Sequence, residues 1–487
     1  MALKTPEMYK ESLRKMRPNI HKFGELITDV TSHPATKRTV EGHAQIFQVA
    51  LNPEYQELVT TTSNLTGEKI SRYLSIMESA EDAINNCRIK RLMFHLTGTC
   101  TGGRCGGWNA INGMWITTYD MDQELGTDYH QRLRDWLKQA QENDITISAA
   151  LTDPKGDRSL PPHQQADPDM NLHIVEVRDD GIVVRGAKIM ICGIAAANEV
   201  FVIPGTGYRE PDKAYAVSFV IPKDTEGLII VETRHPSDMR ELEEGFDNPV
   251  QLGGTTQAYL FFEDVFVPKK RLFMCGEFKF SGSAVMNFVA PYRAAIGGCV
   301  AGQGDLMAGA SVLMAKANGL SPRVFTEKLT KMYMNNETTF GMGVAAAALG
   351  KKHPSRAWMM DPLVANVNKV YVATLPYETK LLAQDIGGGI VETGCMPSYK
   401  DLYDSKYGHL VQKYLKSAVP AEVRARLARF VEWLTVGSGI PGCMHGGGSP
   451  EAAKLVIRAN INVEKLVELA RRVAGITQEI PERIPPQ

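Results

Sequence analysis

Leu172-His-Ile-Val-Glu-Val-Arg178 and Ile182-Val-Val-Arg185, joined across Asp179-Asp180-Gly181, are the stretch whose reading decides the fold. Both arms are short and rich in β-branched residues, and the Asp-Asp-Gly between them is a hairpin turn signal. Strand candidates continue outward at Val200-Phe-Val-Ile203, Ala214-Tyr-Ala-Val-Ser-Phe-Val-Ile221, Gly227-Leu-Ile-Ile-Val231 and Tyr259-Leu-Phe-Phe262. A β-domain of six or more strands is therefore expected over residues 146–275. On either side the period becomes helical. Thr5-Pro6-Glu7 and Ser79-Ala80-Glu81-Asp82 place a capping hydroxyl before acidic first-turn residues, and Leu133, Trp136, Leu137 and Ala140 recur at helical spacing. Pro420-Ala-Glu-Val423 and Ser449-Pro450-Glu451 open helices near the other end. The expected fold class is α+β: an α-helical domain over 1–145, a middle antiparallel β-domain, and a C-terminal α-helical domain over 276–487. The tail Ile480-Pro-Glu-Arg-Ile-Pro-Pro-Gln487 is expected to be extended.

The 487 residues carry 54 basic and 55 acidic side chains, a formal charge of −1, which gives no electrostatic case for a nucleic-acid partner. The start, Met1-Ala-Leu-Lys-Thr-Pro-Glu7, runs into polar residues without the apolar core of a leader. No apolar run approaches the roughly 20 residues a membrane span needs, so a cytoplasmic protein with no membrane partner is expected. Eight cysteines in so long a chain are too few for a disulfide scaffold. A close pair such as Cys100 and Cys105 reads instead as buried thiols, metal ligands or redox groups.

Several local sequences carry a more specific message. They are Thr117-Thr-Tyr-Asp120, Asn143-Asp144, Leu151-Thr-Asp-Pro-Lys-Gly-Asp-Arg158, Asp180-Gly-Ile-Val-Val-Arg-Gly-Ala-Lys188, Ala214-Tyr-Ala-Val-Ser-Phe219, Gly297-Gly-Cys299, Asp385-Ile-Gly-Gly-Gly389 and Met444-His-Gly-Gly-Gly-Ser-Pro450. With them the chain resembles the 4-hydroxybutyryl-CoA dehydratase branch of the 4-hydroxyphenylacetate 3-hydroxylase family, from the first helix to near residue 475. The resemblance implies an acyl-CoA dehydrogenase-like fold, bound FAD, a small-molecule substrate of acyl-CoA type, and a homotetramer or at least a dimer. It also implies that Thr152, Lys155, Asp157 and Arg158 lie against the flavin. Backbone donors and the Arg158 guanidinium of such a loop suit an anionic cofactor, although read alone the loop is more simply a salt-bridged turn. Gly387, Gly388 and Gly446 permit close backbone approach to a ligand, and Ser449 opens a helix where a phosphate is favoured. By the resemblance these residues approach the FAD, as does His445. Cys192 falls where the dehydratases carry a threonine near the flavin ring.

The same resemblance implies a [4Fe-4S] cluster held by three cysteines and a histidine. Cys299 and Cys105 stand at the third and second cysteine positions. Cys100 is displaced, because four residues separate it from Cys105 where the family has three. Tyr292 occupies the histidine's place, and a phenolate is a hard donor for a soft sulfide cluster. Three readings stay open: a three-cysteine cluster with Tyr292, water or substrate at the fourth iron; a cluster with another fourth ligand such as His95; or no cluster.

The dehydratases remove water from a 4-hydroxyacyl-CoA and move the double bond of vinylacetyl-CoA. This chain departs from their pattern at Gln257, where they have a glutamate, and at Ile296, Val300 and Gly442; each change removes an acid, base or donor. Tyr292 and Gln257 are the candidate catalytic residues. The phenol pocket of the family's monooxygenases is missing, since Gly106, Ala110 and Ser148-Ala-Ala150 stand at its arginine, tyrosine and histidine places. Arg104 could contact an anion but reads more simply as a surface arginine, and His130 and His173 as surface or satisfied core groups. A lyase or isomerase of acyl-CoA is thus set beside two alternatives, a cluster-free flavin oxidoreductase and a non-catalytic flavoprotein that kept the fold.

Overall fold

The hairpin forms as its sequence predicts: His173–Arg178 pairs antiparallel with Gly181–Cys192, with Arg178 opposite Gly181. Gly181 is required by proximity, because a Cβ there would stand 2.2 Å from the Val267 carbonyl oxygen of the next strand. The computed structural model describes residues 3–234, 243–250, 252, 254, 257–436, 446–478 and 480.

From the hairpin a six-stranded sheet runs in the order Glu25–Ile27, Ile20–Lys22, Leu228–Glu232, Gln257–Pro268, Gly181–Cys192, His173–Arg178. A second sheet orders Leu272–Cys275, Val217–Pro222, Glu199–Val202 and Ile147–Ala150. Their inner faces share one core, in which the Phe219 and Phe262 rings meet edge-on at 6.1 Å. Alternation along Leu228–Glu232 buries Leu228, Ile230 and Glu232 and exposes Ile229 and Val231, as expected where only one face of a strand is covered.

Two expectations need correction. The strands are not all antiparallel, since Ile20–Lys22 pairs parallel with Leu228–Glu232 and Ile147–Ala150 with Glu199–Val202. The first 145 residues are also not purely helical: they lend two strands to the main sheet and form the small hairpin Thr60–Thr62 with Lys69–Ser71. Each of these strands has three residues, too few to display a period of two. The strand sought from Ala214 begins only at Val217, because Glu210–Tyr215 coils into a 3₁₀ turn.

The helices start where their caps predict. Thr5, Ser79 and Ser449 side chains accept from the backbone N–H of Met8, Asp82 and Ala452. Two helices matter most for the site. Gly102–Leu125 is buried over most of its length between the Ile147–Ala150 strand and the 40-residue helix Phe278–Ala317. The latter is long and apolar enough to cross a membrane, contrary to the expectation from apolar runs, yet most of its apolar window is buried within the protein. Its alanines and glycines serve close helix packing. Ala80–Thr97, Thr326–Ala348, Pro362–Val372, Leu375–Gly387 and Ala421–Thr435 surround it.

Candidate functional site

Three separate elements bring sulfur to one place. Cys100 lies in the loop before the Gly102–Leu125 helix and Cys105 in its first turn, while Cys299 comes from the long helix, about two turns beyond Tyr292. The long helix is held tight at this level: a Cβ on Gly298 would stand 2.1 Å from the Cys87 carbonyl oxygen. Phe94, Ile296, Val300 and Val372 wall the group, with Cys100 and Tyr292 packed against them. Cys192 ends the Gly181–Cys192 strand beside Gly102.

The electrostatics of the group are set by mutual contact. The hydrogen bond between the Cys100 and Cys105 thiols pulls Cys105 down against a contrary push from burial; the Lys90 ammonium and amides at the helix start act in the same direction as the bond. The same bond, then burial and the charges of Cys105, Cys299 and Cys192, hold the Cys100 thiol well above the ordinary range. Burial, followed by the charges of all four cysteines, keeps the Tyr292 phenol far above its usual value, so it is a hydrogen-bond donor at working pH. Cys192 is pushed up by burial to about 11, while the Gln257 side chain pulls the other way. Among the described residues no three His, Cys, Asp or Glu groups converge on a single metal ion. A polynuclear cluster distributes its ligands over several irons, so its thiolates stand further apart, and buried soft donors from separate elements suit such a cluster.

Gln257 faces Cys192 across the sheet and its Nε2 donates to Cys192 Sγ at 3.4 Å. The Tyr292 ring stacks on Phe288 at 5.7 Å, with Lys90 Nζ 5.6 Å from its centroid. The glycine-rich segment before the Pro450–Asn460 helix closes the other side. A Cβ on Gly447 would lie 2.7 Å from the Tyr292 ring, and the Gly447 carbonyl accepts from Arg293 Nε at 2.9 Å. Gly446 adjoins Gly447, and Ser449 caps the helix that follows. His445 and Gly442 lie outside the described residues.

The Thr152–Arg158 loop is anchored at its base. The Thr152 carbonyl accepts from Ile189 N–H at 2.9 Å, and buried Asp153 accepts from Lys188 Nζ at 2.6 Å and from the Tyr208 hydroxyl at 2.9 Å. Beyond that base Lys155 takes a positive φ of 72°, its N–H donating to Asn171, and the Asp157 carboxylate is held low by the Ser159 hydroxyl and N–H. Lys155 and Arg158 are exposed and form no ion pair among the described residues. The loop can thus offer two cations to an anionic ligand. Gly387 packs on the Val391 side chain and Gly388 faces open space, so neither touches the cysteine group.

One reading of a single residue is overturned. Arg104 is not on the surface: it is 1% exposed, paired with Asp144 and stacked over the Phe47 ring at 4.4 Å. It ties down the start of the helix that carries Cys105. His95 Nε2 is engaged by Asp305 at 2.8 Å on the partly exposed side of its helix, which leaves Nδ1 as its other ring nitrogen. His130, T-stacked on Trp115, and His173, bonded to the Asn171 carbonyl, are satisfied as expected. Two contributors carried no sequence signal. Lys90 is a buried cation next to Cys105, and His43 bridges the Thr39 carbonyl at 2.7 Å and Gly103 N–H at 3.0 Å, fixing the Cys100–Cys105 segment. The recess lined by Thr61, Asn64, Ile76, Trp115 and Gln141 includes none of the site residues.

Comparison with known proteins gives a consistent result. Residues 5–274 match the 4-hydroxyphenylacetate 3-hydroxylase N-terminal family and residues 281–475 its C-terminal counterpart. The 4-hydroxybutyryl-CoA dehydratase/vinylacetyl-CoA Δ-isomerase of Clostridium aminobutyricum is 38% identical over 97% of this chain and 100% of its own. The oxygenase component of the 4-hydroxyphenylacetate 3-monooxygenase of Thermus thermophilus is 24% identical, over 88% of this chain and 87% of its own. Among solved structures, an oxygen-tolerant archaeal 4-hydroxybutyryl-CoA dehydratase from N. maritimus superposes with a TM-score of 0.95 and 34% identity, covering 100% of this chain and 97% of that one.

Proposed function

The chain belongs to the 4-hydroxyphenylacetate 3-hydroxylase family, and from that premise we propose an FAD-dependent lyase/isomerase of the dehydratase type, acting on an acyl-CoA-type substrate with a [4Fe-4S] cluster beside the flavin. The observation that carries this reading is the meeting of Cys100, Cys105 and Cys299 with Tyr292 in one buried group. When bound, the flavin and cluster supply one-electron chemistry and a Lewis acid for a leaving hydroxyl.

The chain's own residues account for the rest. Cys100, Cys105 and Cys299 would hold the iron. Lys90 and the amides at the helix start offset the negative charge of the sulfurs. Tyr292, protonated and fixed between Phe288 and Gly447, donates a hydrogen bond toward a departing oxygen. Gln257 orients groups at the end of its strand without accepting a proton. Thr152, Lys155, Asp157 and Arg158 engage the flavin's anionic half, and Gly387, Gly388, His445, Gly446 and Ser449 complete the cofactor site, in part across a subunit boundary. For the proposed homotetramer, the last helix, Val463–Ala474, offers a surface for subunit contact, exposing Leu466, Val467, Leu469 and Val473. The protein works in the cytoplasm.

A cluster-free flavin oxidoreductase is the second reading. It is favoured by the amide of Gln257 and the phenol of Tyr292, neither of which serves as a base near neutral pH. Anaerobic purification with flavin, iron and sulfide analysis, followed by assay of vinylacetyl-CoA isomerisation, separates the two. Bound FAD with about four irons per chain and turnover is expected; FAD without iron favours the oxidoreductase.

A further inference from the structure

We propose that Cys192 is the fourth sulfur ligand of the site, so that Cys100, Cys105, Cys192 and Cys299 together hold the cluster and Tyr292 does not; the inference rests on the cluster-bearing reading of the site. Cys192 closes the Gly181–Cys192 strand, and Gly193, at φ 64°, turns the chain directly onto the helix start. Backbone meets backbone there, since a Cβ on Gly103 would stand 2.3 Å from the Gly193 carbonyl oxygen. Gly102 lies between two of the thiol residues. Its Cβ would be 2.8 Å from Cys192 Cβ and 3.6 Å from Cys100 Sγ, so those two atoms are separated by no more than the sum of these distances. Cys100 in turn is hydrogen-bonded to Cys105, and the charges of Cys192, Cys105, Cys100 and Cys299 all reach Tyr292.

The surroundings of Cys192 suit a metal-bound sulfur. Ser148 Oγ donates to the Cys192 carbonyl at 2.9 Å, fixing the peptide. Gln257, pinned opposite by strand register, donates its amide N–H to Cys192 Sγ. Amide donors to sulfur stabilise thiolate at iron and adjust cluster potential, whereas a carboxylate in that place would repel it. Soft iron–sulfide chemistry prefers this thiolate to the hard oxygen of Tyr292, whose ring is already walled by Phe288 and the Gly447 backbone. On ligation the Cys192 thiol gives its proton to solvent and its sulfur bonds one iron.

The test reconstitutes the full-length wild type, Cys192→Ala, Cys192→Ser and Tyr292→Phe anaerobically with ferrous iron and sulfide. Iron and sulfide are then counted, electron paramagnetic resonance spectra recorded, and near-ultraviolet circular dichroism used to verify folding. Wild type and Tyr292→Phe are expected to hold about four irons, and folded Cys192→Ala about three or fewer, with a three-iron signal or none. A folded Cys192→Ala that keeps the full complement while Tyr292→Phe loses iron overturns the assignment and leaves the cluster reading intact. Wild type that takes up no iron overturns both. Should Cys192→Ala fold poorly, Cys192→Ser decides: a changed resonance spectrum with a native dichroism spectrum supports ligation, and an unchanged one refutes it.

Discussion

Replacing Lys188 by Met should destabilise the protein by about 3–5 kcal/mol, the usual cost of stripping one partner from a buried ion pair. Lys188 Nζ donates to Asp153 Oδ1 at 2.6 Å and to the Leu151 and Ile203 carbonyls at 3.0 and 3.1 Å, and the residue is 2% exposed. The substitution leaves the Asp153 carboxylate, itself 3% exposed, with the Tyr208 hydroxyl as its one side-chain donor among the described residues. Burial already depresses the Lys188 ammonium and raises the Tyr208 phenol, so neither the pair nor the triad is an inexpensive arrangement. The chain retains it because the triad clamps the base of the loop that carries Thr152, Lys155, Asp157 and Arg158. Urea unfolding followed by circular dichroism measures the stability, and flavin content after gel filtration measures the loop. A triple variant, Asp153→Leu, Lys188→Met and Tyr208→Phe, removes every orphaned charge. It should recover more than half of the lost stability without recovering flavin retention. A Lys188→Met protein within about 1 kcal/mol of wild type would refute the argument, as that is the range of a surface pair.

Further expectations follow from the same geometry. Burial holds buried His43 at about 4 against an ordinary 6.5, so the unfolded chain takes up its proton first. The stability it contributes is complete above about pH 6.5 and lost as pH falls toward 4, by up to about 3 kcal/mol; in His43→Gln, urea midpoints over that window should flatten relative to wild type. Arg158→Gln should weaken FAD binding about tenfold or more, the worth of one charge-assisted hydrogen bond, without lowering the melting temperature; equal affinity by fluorescence titration would remove Arg158 from the flavin site. Gly298→Ala drives a methyl into the Cys87 carbonyl oxygen. A loss of about 1–3 kcal/mol is expected in thermal or urea melts.

How much of this was legible depends on the range over which each feature is encoded. The hairpin from His173 to Cys192 was readable because turn and arms are local, and the capped helix starts at Thr5, Ser79 and Ser449 for the same reason. Ile20–Lys22 was not, because three residues have no measurable period and its parallel partner lies some two hundred residues away. Arg104 reads as a surface residue because the group that satisfies it, Asp144, is distant in sequence, so a buried ionic partner cannot be distinguished from solvent. The cysteines were readable only as members of a motif. Their convergence needs the fold, and the place of Cys192 among them depends on strand register.

Lys90 shows why the field at such a site escapes a linear reading. Its helix, Ala80–Thr97, buries Asn85, Asn86, Cys87, Ile89, Lys90, Met93 and Phe94, so polar and apolar residues are interleaved on the buried side and nothing in their order marks Lys90 as unusual. An ammonium 3% exposed is nevertheless costly unless negative charge is nearby. The sulfur group meets that condition, and it needs a cation in return, because adjacent thiols cannot ionise together in a medium of low dielectric without one. The lysine and the thiols are therefore each unfavourable alone and compatible together. The same reciprocity extends to any anionic group the sulfurs come to hold.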